Sequence, residues 1–338
     1  MKKSIDYRSD TLTQPSAEMR EWMAHATVGD DVYGEDPSVN QLEQTAAQLL
    51  GKQAGLFVSS GTQGNLLAML GHCNRGDEYI SGDAYHVYIS EARGASVLGG
   101  IASTVLATGE QFELPVESFR RAIKPDNVHY PVSRLLCLEN TVHGRVQSQS
   151  HLQALCDLAH EAGLLTHLDG ARLMNAAIAG GISATDLSTP FDSISLCLSK
   201  GLGAPIGSVL CGSTDFINLA RRNRKLLGGG TRQAGILAAG GLYALEHNIE
   251  RLIDDHSNAE QLAKGLDSLQ VMPVEQYTNM VFISPPAKHI KPLCRHLRDN
   301  GISMAEDTPT LRMVTHLDIS SDDITTTIGS FNNYFSSL

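Results

Sequence analysis

Ser195-Leu196-Cys197-Leu198-Ser199-Lys200-Gly201-Leu202-Gly203 passes from an apolar run through a small residue to a lysine followed by glycines. Ser195 to Leu198 reads as a buried strand, and the glycines let the backbone turn sharply and let another body come close. A lysine held at the end of a buried strand gives up hydration. That favours its neutral form and makes the amine a nucleophile for carbonyls, the property of a Schiff-base lysine. An isolated Ser-Lys-Gly is more often a surface loop, so the reading rests on what the neighbouring segments bring to the same sheet.

One helix and one strand upstream, Gly163 to Arg172 forms another strand. It places Asp169 at its carboxyl end and Arg172 in the first turn of the next helix. Ligands of open α/β sheets bind outside such ends, and a carboxylate there either caps the helix or holds a cation. Nearer the start, Gly55-Leu56-Phe57-Val58-Ser59 is a strand that breaks at Ser60-Gly61-Thr62-Gln63-Gly64 and resumes as a helix through about Met69. The free N–H groups and dipole of that helix start favour a phosphate, with hydroxyls from Ser60 and Thr62. It is not a Walker loop, because Gly-Lys-Ser/Thr is missing. Asp83 to Glu91 puts His86 among aromatics at a strand end, and His129 lies in a connection. Arg134 to Thr141 is a strand ending in polar residues, followed by a helix over 149–162.

Gly207 to Gly212 reads as a further strand. Gly201-x-Gly203-x-x-x-Gly207 runs into it rather than into a helix, which excludes a dinucleotide fingerprint. Helices follow over 214–225, 234–247 and 249–268, with a glycine loop carrying Arg232 between the first two. Helical patterns also cover Ser16–Ala26, Ser38–Leu50 and Glu113–Ile123. From about Val271 the pattern becomes a smaller α+β unit, with Arg312 inside the strand Thr310–Thr315. An arginine in an apolar strand calls for a buried anion. The βα order from about 55 to 212 predicts an α/β protein with a large, mainly parallel sheet and a smaller α+β C-terminal domain. We expect an arm and helix over 1–30, a large domain over 31–248 and a small domain over 249–338.

The 338 residues carry a formal charge of −11, which argues against nucleic acid or an anionic membrane as the main partner. The six cysteines form no Cys-x-x-Cys pair and sit in apolar runs, as buried free thiols of a reducing compartment do. No signal peptide or membrane span is visible, so a cytoplasmic location is expected. No zinc-type spacing or His-Glu-x-x-His is present, and no metal is expected.

A phosphate cradle, an imidazole, an aspartate and a lysine, each at a strand end and in that order, together suit pyridoxal phosphate. The phosphate would take the cradle, Asp169 the pyridine nitrogen and Lys200 the aldehyde. At these residues the chain resembles the low-specificity L-threonine aldolases, which are aspartate-aminotransferase-like pyridoxal-phosphate enzymes of fold type I. The resemblance is carried by Tyr7-Arg8-Ser9-Asp10-Thr11, Val28-Gly29-Asp30-Asp31-Val32-Tyr33-Gly34, Ser60-Gly61-Thr62-Gln63, His86, Glu139-Asn140-Thr141, Leu168-Asp169-Gly170-Ala171-Arg172, the Lys200 stretch, Gly228-Gly229-Gly230-x-Arg232-Gln233 and Arg312-Met313-Val314-Thr315-His316.

The resemblance implies cleavage of threonine or allo-threonine to glycine and an aldehyde, in threonine catabolism and glycine formation. It implies that Lys200 anchors the cofactor, Asp169 binds the ring nitrogen, Arg172 the phenolic oxygen, and His86 stacks on the ring. Gly61 and Thr62 would hold the phosphate, with Arg232 reaching it from a neighbouring subunit. Ser9, Arg172 and Arg312 would grip the substrate carboxylate, with Tyr33 and Lys225 contributed across the interface of a homotetramer. His86 and His129 are the candidate bases for the β-hydroxyl. A β-eliminating lyase or aminotransferase, and a non-catalytic cofactor-binding sensor or scaffold, are the competing readings. Two positions depart from the family pattern. Ser90 stands where relatives carry an aromatic before the glutamate, and Val142 with His143 following stands where many carry a histidine directly after Glu-Asn-Thr. A roomier or differently wetted aldehyde pocket is expected from them.

Overall fold

In a computed structural model the described residues are 4–306 and 309–338; the start of the polar N-terminus, Met1-Lys2-Lys3, lies outside them. The strands in chain order are β1 (Ile5–Asp6), β2 (Ala54–Val58), β3 (Glu78–Gly82), β4 (Ala102–Leu106), β5 (Ser133–Glu139), β6 (Leu165–Gly170), β7 (Ser193–Cys197), β8 (Ser208–Gly212), β9 (Val274–Tyr277), β10 (Met280–Ile283), β11 (Ile302–Ser303) and β12 (Leu311–Val314). Seven of them form one sheet in the order β2-β8-β7-β6-β5-β3-β4. β4, β3, β5, β6 and β7 run parallel, whereas β8 is antiparallel to both β7 and β2. Reversing twice returns β2 to the direction of the parallel strands. The carboxyl ends of β2, β5, β6 and β7 therefore share one edge, which collects Ser60, Glu139, Asp169 and Lys200. This is the large, mainly parallel sheet that the βα order predicts.

The sequence marks these strands because helices cover both faces of the sheet. β7 and β8 are buried throughout, and Leu135 to Leu138 of β5 are wholly covered. β4, Ala-Ser-Thr-Val-Leu, escapes such a reading. It is the outermost strand and largely exposed, so it needs no apolar run. The expected helix over Glu113–Ile123 begins only at Val116, because Pro115 at its cap is held extended and discourages helix before it. His86 opens a short helix, His86–Ile89, rather than ending a strand. Arg172 sits at the cap before the helix Leu173–Gly180, not inside its first turn.

One large apolar core packs around the seven-stranded sheet and reaches from Met19 to Leu252. A second core joins β10, β12 and the helices Ala287–Asp299 and Ser321–Ser336, and it includes Ile5 and Tyr7 of the N-terminal arm. The helix Leu252–Asp267 connects the two, with Leu252 in the first core and Ala259, Leu262 and Leu266 in the second. All six cysteines are buried and unpaired. No helix among the described residues is long and apolar enough to cross a membrane.

Candidate active site

Lys200 lies just past β7 in a tight turn closed by Gly203 N–H donating to the Lys200 carbonyl at 2.9 Å. Gly203 has φ +78°, a conformation that suits glycine. The N-terminal arm crosses this turn: Thr13 Oγ1 donates to the Lys200 carbonyl at 3.0 Å. Three residues earlier, Asp10 is fully buried and receives Arg172 Nε at 2.7 Å and Nη2 at 2.6 Å. Burial alone would raise the Asp10 carboxyl, but the Arg172 guanidinium, helped by the Lys200 charge and Asn279, outweighs it and holds the pKa at about 2. Asp10 was quoted in the arm without a role; its partner is remote in sequence, so no local pattern announces it.

Asp169 is the penultimate residue of β6, and its carboxylate is fixed from two sides. Ala171 N–H donates to Oδ1 at 3.0 Å and Asn65 Nδ2 to Oδ2 at 2.8 Å. The other amide proton of Asn65 goes to Glu91 Oε1 at 2.8 Å, and the same oxygen meets His86 Nδ1 at 2.7 Å. His86 N–H donates to Glu139 Oε2 at 2.6 Å. The chain of contacts continues from Asn65 Oδ1 to His167 Nε2, and from His167 Nδ1 through Ser193 Oγ to His72 Nε2. The hydrogen bond from His86 Nδ1–H to the Glu91 carboxylate raises the His86 pKa against the effect of burial. Burial raises Glu91, and the nearby Asp169 charge adds to it. Desolvation, then the Asp169 charge, push Glu139 up to about 8, against the pull of the His86 N–H and Lys200. Ligand-type atoms of His86, Glu91 and Asp169 lie within 4.8 Å of one another, a grouping that no sequence spacing announced. Their lone pairs are engaged with each other through Asn65, which accounts for the grouping as a hydrogen-bonded set.

The helix Gly61–His72 is capped by Ser60, whose Oγ accepts from Gln63 N–H at 3.1 Å. Its first helical bond is Gly64 N–H to the Ser60 carbonyl, so the N–H groups of Gly61 and Thr62 have no acceptor within the helix. The buried Ser208 Oγ has no partner and lies 3.6 Å from where a Cβ on Gly61 would stand. An orphaned hydroxyl beside a free helix start, with a fixed carboxylate and a lysine on the same sheet edge, fits a phosphorylated pyridine aldehyde.

At the substrate end, Arg312 on β12 pairs with Phe282 of β10. Its Nη2 donates to the Arg8 carbonyl at 3.4 Å, and its Nε is buried with no partner. Ser9 caps the 3₁₀ turn Asp10–Leu12, with its Oγ accepting from Thr11 N–H. Val142 is fully buried in the large core. The residue beside the charged groups is His143. Ser90 is exposed at the end of the short helix His86–Ile89.

Four expected site residues, Tyr33, Arg232, Lys225 and His129, are exposed in their own chain. Tyr33 is 74 % exposed. Arg232 pairs with Asp30 at 2.9 Å and reaches over the Tyr33 ring. Lys225 lines a cavity of about 450 Å³ with Val32, Arg222 and Gly230. His129 is exposed in the loop before β5, where Tyr130, Ser133 and Arg134 border a cavity of about 230 Å³ with Gly163 and Leu164, ahead of β6. That is the amino end of the parallel strands. The length of β5, roughly 20 Å at about 3.3 Å per residue, separates His129 from the lysine edge. Within one chain His129 therefore does not join His86.

Residues 6–287 match the family model described as beta-eliminating lyase. The chain is 45 % identical over 320 residues to a low specificity L-threonine aldolase of Escherichia coli O157:H7, covering 95 % of this chain and 96 % of that one. A solved threonine aldolase of Leishmania major superposes with a TM-score of 0.84 at 20 % identity, covering 98 % of this chain and 99 % of that one. A solved serine palmitoyltransferase with PLP superposes at 0.73 with 17 % identity, covering 98 % and 87 %.

Proposed function

This chain belongs to the beta-eliminating lyase family, and from that membership we propose the activity and the roles that follow. It is a carbon–carbon lyase of the threonine aldolase type, dependent on pyridoxal phosphate, that cleaves L-threonine and L-allo-threonine to glycine and acetaldehyde. The observation that carries the reading is the meeting of Lys200, Asp169 and the capped helix start at Ser60 on one sheet edge.

When bound, pyridoxal phosphate supplies a sink for the electron pair released as the Cα–Cβ bond breaks. Lys200 would hold its aldehyde carbon, Asp169 the protonated ring nitrogen, and Arg172 the phenolic oxygen. The N–H groups of Gly61 and Thr62 would hold the phosphate. His86, tied to Glu91, would cover the ring face. Arg312, with its unpartnered Nε, would grip the substrate carboxylate together with Ser9 and Arg172. That grip would orient the substrate for cleavage of its Cα–Cβ bond, and a base would accept the proton of the β-hydroxyl.

We further infer a cytoplasmic homotetramer acting in threonine breakdown and glycine supply, in which Tyr33, Lys225 and Arg232 complete a neighbouring site. Their exposure supports that reading. The test is aldehyde release from threonine by yellow, purified protein. Ammonia and a 2-oxo acid in place of acetaldehyde and glycine would overturn it, as would colourless protein that stays inactive with added cofactor. Sedimentation velocity tests the tetramer.

A further inference from the structure

The segment after β5 makes a two-residue hairpin turn. Val142 N–H donates to the Arg145 carbonyl at 3.0 Å, and Arg145 N–H to the Val142 carbonyl at 2.8 Å. The two residues between have φ +47° at His143 and +81° at Gly144. Positive φ at both positions is the turn that favours asparagine, aspartate and glycine. A non-glycine residue with positive φ is uncommon, and such a conformation persists where the surroundings hold it. The surroundings do hold it. Thr278 Oγ1 donates to the Gly144 carbonyl at 2.8 Å, and Arg145 pairs with Glu275 at 3.1 Å while lying over the Tyr277 ring. The turn is thus clamped between the large sheet and the β9–β10 hairpin.

The clamp presents the His143 imidazole, half-buried, beside the expected carboxylate grip. Its ring tilts against Phe112 with centroids 4.9 Å apart. The Ala84 carbonyl, two residues before His86, lies close to the ring and favours its protonated form, against the larger effect of burial. The charged groups facing the ring are Arg312 from β12, Arg145 from its own turn and Arg172 from the end of β6. In a β-hydroxy-α-amino acid the hydroxyl is two carbons from the carboxylate, so a group flanking the arginines reaches it. Of the other imidazoles considered, His129 lies at the opposite end of the sheet of its own chain, and His86 is bound to Glu91 and Glu139.

We propose that His143 is the catalytic base, accepting the β-hydroxyl proton while Arg172 and Arg312 hold the neighbouring carboxylate; the proposal rests on the retro-aldol reading above. The O–H bond breaks and an N–H bond forms on His143. The freed oxygen pair becomes the second bond of the aldehyde carbonyl as Cα–Cβ breaks, and a proton returned to Cα completes glycine. Burial first, then Arg312, Arg145 and Arg172, lower the His143 pKa, so the ring is neutral and able to accept at neutral pH. A carboxylate arriving on two of those arginines offsets their push and makes the ring more basic when substrate is bound.

The experiment compares the parent holoenzyme with His143→Asn, His143→Gly and His86→Asn, measuring kcat and KM for L-threonine, exchange of the α-proton of glycine, and the melting temperature of each cofactor-free protein. His143→Asn and His143→Gly are expected to lower kcat on the order of 10²–10³-fold, with KM and glycine exchange close to the parent. Both should melt at or above the parent temperature, because asparagine and glycine suit the turn. A kcat within about threefold of an active parent overturns the proposal and leaves the retro-aldol reading standing. So does a loss matched by an equal loss of glycine exchange, or a deficit confined to His86→Asn. A parent that releases no aldehyde overturns both.

Discussion

The residue whose environment constrains the site most is Asp10. Its carboxylate is fully buried and receives two charge-assisted bonds from Arg172. The folded pKa of about 2 lies below the unfolded value near 3.9, so the pair contributes about 2 kcal/mol above about pH 4 and loses it as pH falls through about 2. Replacing Asp10 with Asn leaves a buried guanidinium without its counter-ion. We expect a loss of about 3–5 kcal/mol in urea unfolding at pH 7, a flattened acid-denaturation curve by circular dichroism, and a raised KM for threonine because Arg172 is no longer aimed. Glu139 behaves oppositely. Its pKa in the folded, cofactor-free protein is about 8, above the unfolded value, so its contribution is full at acidic pH and is lost as pH rises through about 8. The melting temperature of the cofactor-free parent should therefore fall between about pH 5 and 9 more steeply than that of Glu139→Gln. A parallel pair of curves would show that Glu139 ionises as an ordinary carboxylate.

The helix Gly61–His72 is the element that carries both the phosphate cradle and the support of Asp169. Its position against β7 depends on Gly64, where an added Cβ would stand 2.5 Å from Ser195 Oγ and 3.3 Å from Ser195 Cβ. Gly64→Val forces the helix away from the strand that leads to Lys200, an overpacking cost of about 1–3 kcal/mol. We expect a lower melting temperature and loss of yellow colour on dialysis that retains cofactor in the parent. The strand–turn–helix carrying this cradle was legible in the sequence, as were Asp169 and Lys200, because each sits where a buried strand gives way to small or polar residues. Asn65 and Glu91 were not legible as a pair supporting Asp169. Asn65 reads as one polar residue in an apolar helix, and its partner Asp169 is 104 residues away. Asp10 meets Arg172 across 162 residues, equally beyond any local pattern. The departure after Glu139 marked this turn in the sequence, but the contrast between a buried Val142 and a half-buried His143 was not legible, because it is set by how the turn packs.

For the whole molecule, the N-terminal arm is the strap between the two cores and the lysine turn. Ile5 and Asp6 pair with Ile302 and Ser303, and Val314 N–H donates to the Tyr7 carbonyl at 2.9 Å. The Tyr7 ring is fully buried in the second core, with its hydroxyl 2.9 Å from Thr327 Oγ1. A few residues on, Asp10 and Thr13 fasten to Arg172 and Lys200. The sequence read this arm as an extended segment of its own, because its anchoring residues are few and their partners come from the far end of the chain. Tyr7→Ala removes the anchor, and a buried aromatic truncated to alanine costs about 3–5 kcal/mol. If the arm is a strap, the effect should reach the site as well: the variant should bind threonine more weakly, as measured by KM, although Tyr7 touches no site group. Thr327→Val keeps the ring packed and removes the hydroxyl pair together with the bond from Thr327 Oγ1 to the Asp323 carbonyl, each worth about 1 kcal/mol. It should lower the urea midpoint slightly and leave KM unchanged. Equal effects of the two variants on KM would mean that the hydroxyl pair, rather than the packed ring, carries the coupling from the small core to Arg172.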